Sequence, residues 1–284
     1  MKYRYMLPSG LLADYVDYYF ILEKEAFEHA LPVEVFPAPQ AEMVFTYGDE
    51  RSSFAVIGKN EEHLSPDYAV SGFFTQKVTY RNHNWLGVVM VGFKPWGVQP
   101  FIDFPIGEIT NQNLDHKNIF PAKVRVLEDE LRMVKTDESR INVIEKFLLS
   151  ILRPHKSDLL VKEAVKQISM YNGQVRIKAL AEKFHLCEKQ FKRRFTCTTG
   201  ITPKLFSRLV RFQYILNLMD KAQVKLLDTA IQAGFYDEAH FIREFEAFTN
   251  SSPKKYLQSN LKTDLGAYFE AQVKKSLFYN TIYK

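Results

Sequence analysis

Hydrophobic and polar positions divide the chain into distinct textures. From about Val33 to Ile109, apolar residues come in short runs, among them Met43-Val44-Phe45-Thr46-Tyr47, Phe54-Ala55-Val56-Ile57 and Val88-Val89-Met90-Val91-Gly92-Phe93. The runs are β-branched or aromatic and are broken by Gly, Pro, Asn and Asp, which predicts an antiparallel sheet or barrel. From Pro121 the period becomes helical. Val124, Leu127, Leu131 and Val134 form one stripe, and a second helix follows Asp137 with Ile141, Ile144, Phe147, Leu148 and Ile151 on one face. Arg153-Pro154-His155-Lys156 ends that helix and marks the expected domain boundary. From Asp158 to about Gln258 the pattern is one of short helices joined by polar turns. Near the N-terminus, Leu11 to Leu22 reads as a short amphipathic helix.

The helical half repeats itself. Phe191, Arg193, Phe195, Thr199, Gly200, Thr202, Pro203 and Phe206 return fifty residues later as Phe241, Arg243, Phe245, Thr249, Asn250, Ser252, Pro253 and Tyr256. Upstream the offset slips to 49, where Leu180-Ala181…His185-Leu186 matches Thr229-Ala230…Gly234-Phe235. The slip is one inserted residue in a turn. Each copy has the logic of a helix-turn-helix. A first helix carries a small inner residue, Ala181 or Ala230, so that a second helix can cross closely. The second helix turns its aromatics inward and a polar face outward. Thr202-Pro203 and Ser252-Pro253 supply an N-cap followed by proline at the first helical position. The helix after Pro203 would span roughly 25 Å at 1.5 Å per residue and set the distance between the copies. Two such units about 34 Å apart would meet successive major grooves on one face of B-DNA.

These features resemble the AraC/XylS family of bacterial transcription regulators. The likeness covers about 80 residues. It is carried by Ala233-Gly234-Phe235, by Phe241-x-Arg243 and by Pro253-x-x-Tyr256. The resemblance implies a seven-helix DNA-binding domain whose base-facing positions fall on Lys189, Lys192 and Arg193 in the first unit. In the second unit they fall on Glu238, His240, Ile242 and Arg243. A looser likeness to the regulatory domain of a family subgroup lies in Pro8-Ser9-x-x-Leu12…Tyr19-Phe20, Val91-Gly92-Phe93-Lys94-Pro95 and Ile109-Thr110-Asn111. Two positions depart from the family pattern. His185 stands where glycine is usual and must accept a left-handed backbone. Cys187 stands where serine usually caps the recognition helix.

Charge sharpens this picture. The whole chain of 284 residues carries a net +5. Residues 157–262 hold 18 Lys and Arg against 10 Asp and Glu, a net +8 that leaves the remainder slightly acidic. Within that domain residues 176–221 are +8 and residues 222–262 are neutral. The first unit is therefore expected to supply most of the phosphate attraction and the stronger base reading. Read without the repeat, Lys189, Lys192 and Arg193 would be a solvated helix face. Arg243 has an alternative as the ion-pair partner of Glu238, Asp237 or Glu246, and His240 faces solvent or DNA equally well. Arg194, Arg208, Arg211, Lys204 and Lys225 read as phosphate contacts or plain surface. Phe191, Phe195, Phe241 and Phe245 read as core.

Other functions find little in the sequence. Cys187 and Cys197 are the only cysteines, too few for a disulfide framework or a four-cysteine zinc site. The seven histidines form no His-x-His or His-x₃-His pair, so no metal or other cofactor is expected. No nucleophile elbow, Walker loop or dinucleotide fingerprint occurs, so the chain is read as no enzyme. No apolar run reaches the ~20 residues of a membrane span, and no signal peptide is evident. The expected compartment is the cytoplasm.

The expected fold class is α+β. Residues 1–153 form a β-rich, barrel-like (cupin-like) regulatory or dimerisation domain with helices. Residues 157–260 form an all-α domain of two helix-turn-helix units, and residues 261–284 a helical C-terminal extension. The expected partner is double-stranded promoter or operator DNA. RNA polymerase, a small-molecule effector and a homodimer through the Pro121–Leu152 helices stay open. Alternatives are a β-barrel enzyme or sensor with a helical appendage, and a helical interaction module that binds no DNA.

Overall fold

The computed structural model describes residues 2–24, 33–48, 53–56, 62–81, 85–153, 158–219 and 225–258. Ten strands lie among these residues: β1 (Lys2–Met6), β2 (Val16–Lys24), β3 (Val33–Val35), β4 (Glu42–Thr46), β5 (Ser53–Val56), β6 (Glu62–Leu64), β7 (Tyr68–Ser71), β8 (Val78–Arg81), β9 (Leu86–Phe93) and β10 (Asn113–Asp115). They make two antiparallel sheets, one ordered β1-β2-β9-β4-β7-β10 and the other β3-β8-β5-β6. The helices are α1 (His116–Ile119), α2 (Pro121–Met133), α3 (Asp137–Ile151), α4 (Leu159–Met170), α5 (Ile177–Lys183), α6 (Glu188–Thr199), α7 (Pro203–Met219), α8 (Leu226–Gln232), α9 (Glu238–Thr249) and α10 (Pro253–Gln258). The α+β reading holds, and α4–α10 make the seven helices that the resemblance implied. The extension 261–284 lies outside the described residues, as does most of the predicted boundary, residues 154–157.

One local expectation is corrected. Leu11–Leu22 is no amphipathic helix: a 3-10 turn covers Gly10–Asp14 and β2 follows at Val16. Tyr18, Tyr19, Phe20 and Ile21 are all buried, because β2 sits inside the large sheet with both faces covered. Tyr19 and Ile21 join the main core, whereas Tyr18 and Phe20 join a smaller cluster with Tyr5, Leu22 and Met90 on the other face. A strand buried on both faces presents an unbroken apolar run, which periodicity does not separate from a buried helix.

Helices α2 and α3 cover the main-core face of the large sheet. Val124, Leu127 and Leu131 point inward, as their spacing required. The Phe147 ring meets Phe45 of β4 edge-on at 6.0 Å, and the Tyr19 hydroxyl donates to Glu145 at 3.0 Å. His116 is packed among Phe45, Tyr68, Phe120 and Phe147. Burial pushes its pKa down to about 3, so the imidazole is neutral at physiological pH and acts as core.

The core runs on into the C-terminal helices. Phe36 meets Phe212 of α7 at 6.3 Å and Tyr256 of α10 at 5.7 Å. The buried Gln213 amide donates to the Pro37 carbonyl at 2.6 Å, and the Lys77 N–H donates to the Phe248 carbonyl at 3.0 Å. On the first unit, backbone meets backbone: a Cβ on Gly107 would lie 2.6 Å from the Gly200 carbonyl oxygen.

Candidate nucleic-acid interface

The two units share the bonds that close their turns and end their second helices. After α5 the Leu186 N–H returns to the Ala181 carbonyl at 3.0 Å, and after α8 the Phe235 N–H returns to Ala230 at the same distance. The turn residue is left-handed in both, His185 with φ 55° and Gly234 with φ 73°. His185 thus adopts the backbone that glycine would take freely, at a cost in strain. Phe191 and Phe195 in α6, like Phe241 and Phe245 in α9, are fully buried. At the ends of these helices the Thr199 hydroxyl lies 2.9 Å from the Phe195 carbonyl and the Thr249 hydroxyl 2.9 Å from that of Phe245. Thr202 and Ser252 then cap α7 and α10, accepting from the Leu205 and Lys255 N–H groups at 3.2 and 3.3 Å.

The units differ where the second helices begin. Asp237 accepts the His240 N–H at 2.6 Å, a strong cap for α9. In α6 the Gln190 side chain accepts the Cys187 N–H at 3.3 Å, but the reciprocal acceptor is a thiol, which is weak. Cys187→Ser is therefore expected to stabilise the protein by about 0.5–1 kcal/mol, read as a rise in thermal midpoint. An unchanged or lower midpoint would show that the thiol already caps well.

The first turns and outer faces of α6 and α9 stay open. Lys189, Lys192, Arg193, Glu238, His240 and Arg243 are all exposed. Ile242 is half-buried and packs against the core, and the His240 ring stands edge-on to Phe235 at 5.1 Å. Lys189, Lys192, Arg193 and Arg243 form no ion pair among the described residues. Other arginines nearby behave differently. Arg194 pairs with Asp158, tying α6 to the start of α4. Arg208 reaches Glu244 with two bonds of 2.6 and 3.2 Å, tying α7 to α9, and its guanidinium lies 5.1 Å from the Phe248 ring centre. Arg211 donates to the Gly173 carbonyl at 3.0 Å and stacks over Phe235. Arg194 and Arg208 thus link α6 and α9 to neighbouring helices and Arg211 links α7 to the turn after α4, whereas sequence reading left all three as phosphate contacts or plain surface. Lys204 and Lys225 are exposed.

The seam with the N-terminal part touches α6 and α9 at their C-terminal ends, where the 3-10 turn Ile106–Ile109 meets Gly200 and Lys77, just before β8, meets Phe248. The exposed residues that the sequence singled out lie in the N-terminal halves of the same helices. Sequence reasoning passed over Tyr236, which stands between the turn and Asp237 and is 98% exposed.

Residues 180–259 match a family model described as a helix-turn-helix domain. Residues 4–115 match one described as a domain of unknown function, DUF6597. An uncharacterized HTH-type transcriptional regulator of Haemophilus influenzae is 25% identical over 162 residues, 57% of this chain and 52% of that protein. The chain thus spans about half the length of this curated relative. Among solved structures, ToxT from Vibrio cholerae is similar with 11% identity over 91% of this chain and 98% of its own, at a TM-score of 0.44. The AraC-like transcriptional activator CuxR is similar with 11% identity over 72% and 84%, at a TM-score of 0.25. Fold and family match together define the C-terminal part as a helix-turn-helix domain. The described helices hold two such units, as the resemblance noted in the sequence implied. None of the described helices is long and apolar enough to cross a membrane.

Proposed function

We propose that the protein is a sequence-specific, DNA-binding transcription regulator of the bacterial cytoplasm. One observation carries the reading: two equivalent units each leave the outer face of their second helix open, while the inner aromatics are buried and Arg194 and Glu244 tie the same helices to α4 and α7. In the first unit that face bears three cations that form no ion pair among the described residues. Lys189 and Lys192 neutralise phosphates, and Arg193 reads a base edge in the major groove, where its fork matches guanine. In the second unit Glu238, His240, Ile242 and Arg243 meet the next groove, with Arg243 the principal contact.

Residues 1–153 serve as the regulatory part. They grip both units at once, at Gly200 and at Phe248, so a rearrangement of the segments around Ile106–Gly107 and Lys77 would shift both second helices together. An effector would act only by binding two such arrangements unequally. Pairing of two copies through α2 and α3 would suit the exposed Val126 and Met133 on α2.

Selection of bound duplexes from a random pool, with the full chain as bait, tests the reading. A defined motif is expected. Arg193→Ala should then lose about 1–3 kcal/mol of discrimination at one base pair. Recovery of no enriched sequence, with no salt-dependent retention on DNA, would refute the proposal.

A further inference from the structure

The internal repeat serves as its own control, and it isolates one residue. In the first unit the turn runs from His185 through Leu186 straight to Cys187, the residue that caps α6. In the second it runs from Gly234 through Phe235, then Tyr236, and only then to the cap Asp237. The turn bonds on either side are the same in both units. Tyr236 is thus the inserted residue behind the change of offset from 49 to 50. The first unit closes the same turn without it, so the turn itself does not need it.

Packing does not need it either. Phe235 beside it is buried, while Tyr236 is 98% exposed. A tyrosine contributes to a fold by burying its ring, and this ring buries almost nothing. What remains is a neutral hydroxyl donor held at the start of a recognition helix whose cap is rigidly bonded. The residue before the cap of such a helix lies at the groove edge, where the DNA backbone runs, while the first helical residues reach the bases.

Charge gives the insertion a purpose. The second unit is electrically neutral, and Asp237 and Glu238 place two carboxylates at the start of α9. Phosphate attraction is weak there, and a phenol donates a hydrogen bond to phosphate without carrying charge of its own.

We infer that Tyr236 anchors the second unit by donating its hydroxyl to a backbone phosphate oxygen beside the groove that receives α9. The inference rests on the DNA-binding reading above. It adds a residue, a chemical group and a contact class that the family resemblance did not supply.

The test uses the full chain, a duplex recovered by selection and a random duplex. Tyr236→Phe, which removes the oxygen alone, is expected to weaken binding to both duplexes about tenfold. The ratio between the two duplexes and the slope of affinity against salt should not change, because no charge and no base contact is lost. Tyr236→Ala should lose at least as much, with an unaltered thermal midpoint. Wild-type affinity in Tyr236→Phe would overturn the inference while leaving the proposed function standing. Weakening confined to the selected duplex would also overturn it, since the tyrosine would then be reading a base. Failure of the wild-type chain to bind either duplex would bring down the function and the anchor together.

Discussion

Joint replacement of Lys189, Lys192 and Arg193 by alanine is expected to weaken DNA binding about a hundredfold at ~0.1 M salt. Each neutralised phosphate releases condensed counterions, contributing about 0.9 to the slope of log affinity against log salt in duplex DNA. Loss of the two lysine contacts should therefore flatten the slope by about 1.8, and by as much as about 2.7 if Arg193 also lies against phosphate. The fold should be indifferent, since all three side chains are exposed and none is ion-paired among the described residues. A matched variant that removes the exposed Lys2, Arg81 and Lys117 instead changes net charge equally, on elements other than α6, α9, α2 and α3. Filter binding or fluorescence anisotropy across a salt series compares the two. Equal losses in both variants would reduce the effect to net charge and remove the case for a recognition face on α6.

A second large effect is expected at the seam. Gly200 has φ 80°, and a Cβ there would lie 2.4 Å from Ile106 Cγ2 and 3.0 Å from the Gly107 nitrogen. Gly200→Ala pays twice: the left-handed backbone costs about 1–2 kcal/mol for a residue with a side chain, and forced overpacking costs about 1–3 kcal/mol more. Together these predict about 3 kcal/mol of destabilisation, or a fall in thermal midpoint of about 5–10 °C. Gly10→Ala isolates the first part, because Gly10 is also left-handed, with φ 56°, but has nothing within 4 Å of its would-be Cβ. Calorimetry of both variants separates strain from contact. If Gly200→Ala loses no more than Gly10→Ala, the first unit is not pressed against Ile106 and Gly107, and the coupling of the sheets to α6 falls with it.

The recognition units were legible because what defines them is local. Aromatic spacing in α6 and α9, the small residues at 181 and 230, the Thr-Pro and Ser-Pro starts and the left-handed turns each act within a few residues. Repetition at nearly constant offset then excluded coincidence. The arginines were not sorted in the same way. Arg193, Arg194, Arg208 and Arg211 are equally basic in the sequence, but three of them meet Asp158, Glu244 or Gly173. Those partners lie 36 to 38 residues away, beyond the reach of any helical period. Tyr236 left a trace only as the slip in the repeat.

In this protein the sequence by itself determined the helices from Pro121 onward, the caps at Thr202 and Ser252, the doubled unit and the basic bias of the first copy, because each is set by side chains that are neighbours along the chain. Tertiary structure alone decided that β2 is a strand, that β9 lies between β2 and β4, and that both recognition helices are held by their C-terminal ends. Strand pairing and the seam join residues far apart in the chain. A pattern of apolar positions records that a face is buried, but not what buries it.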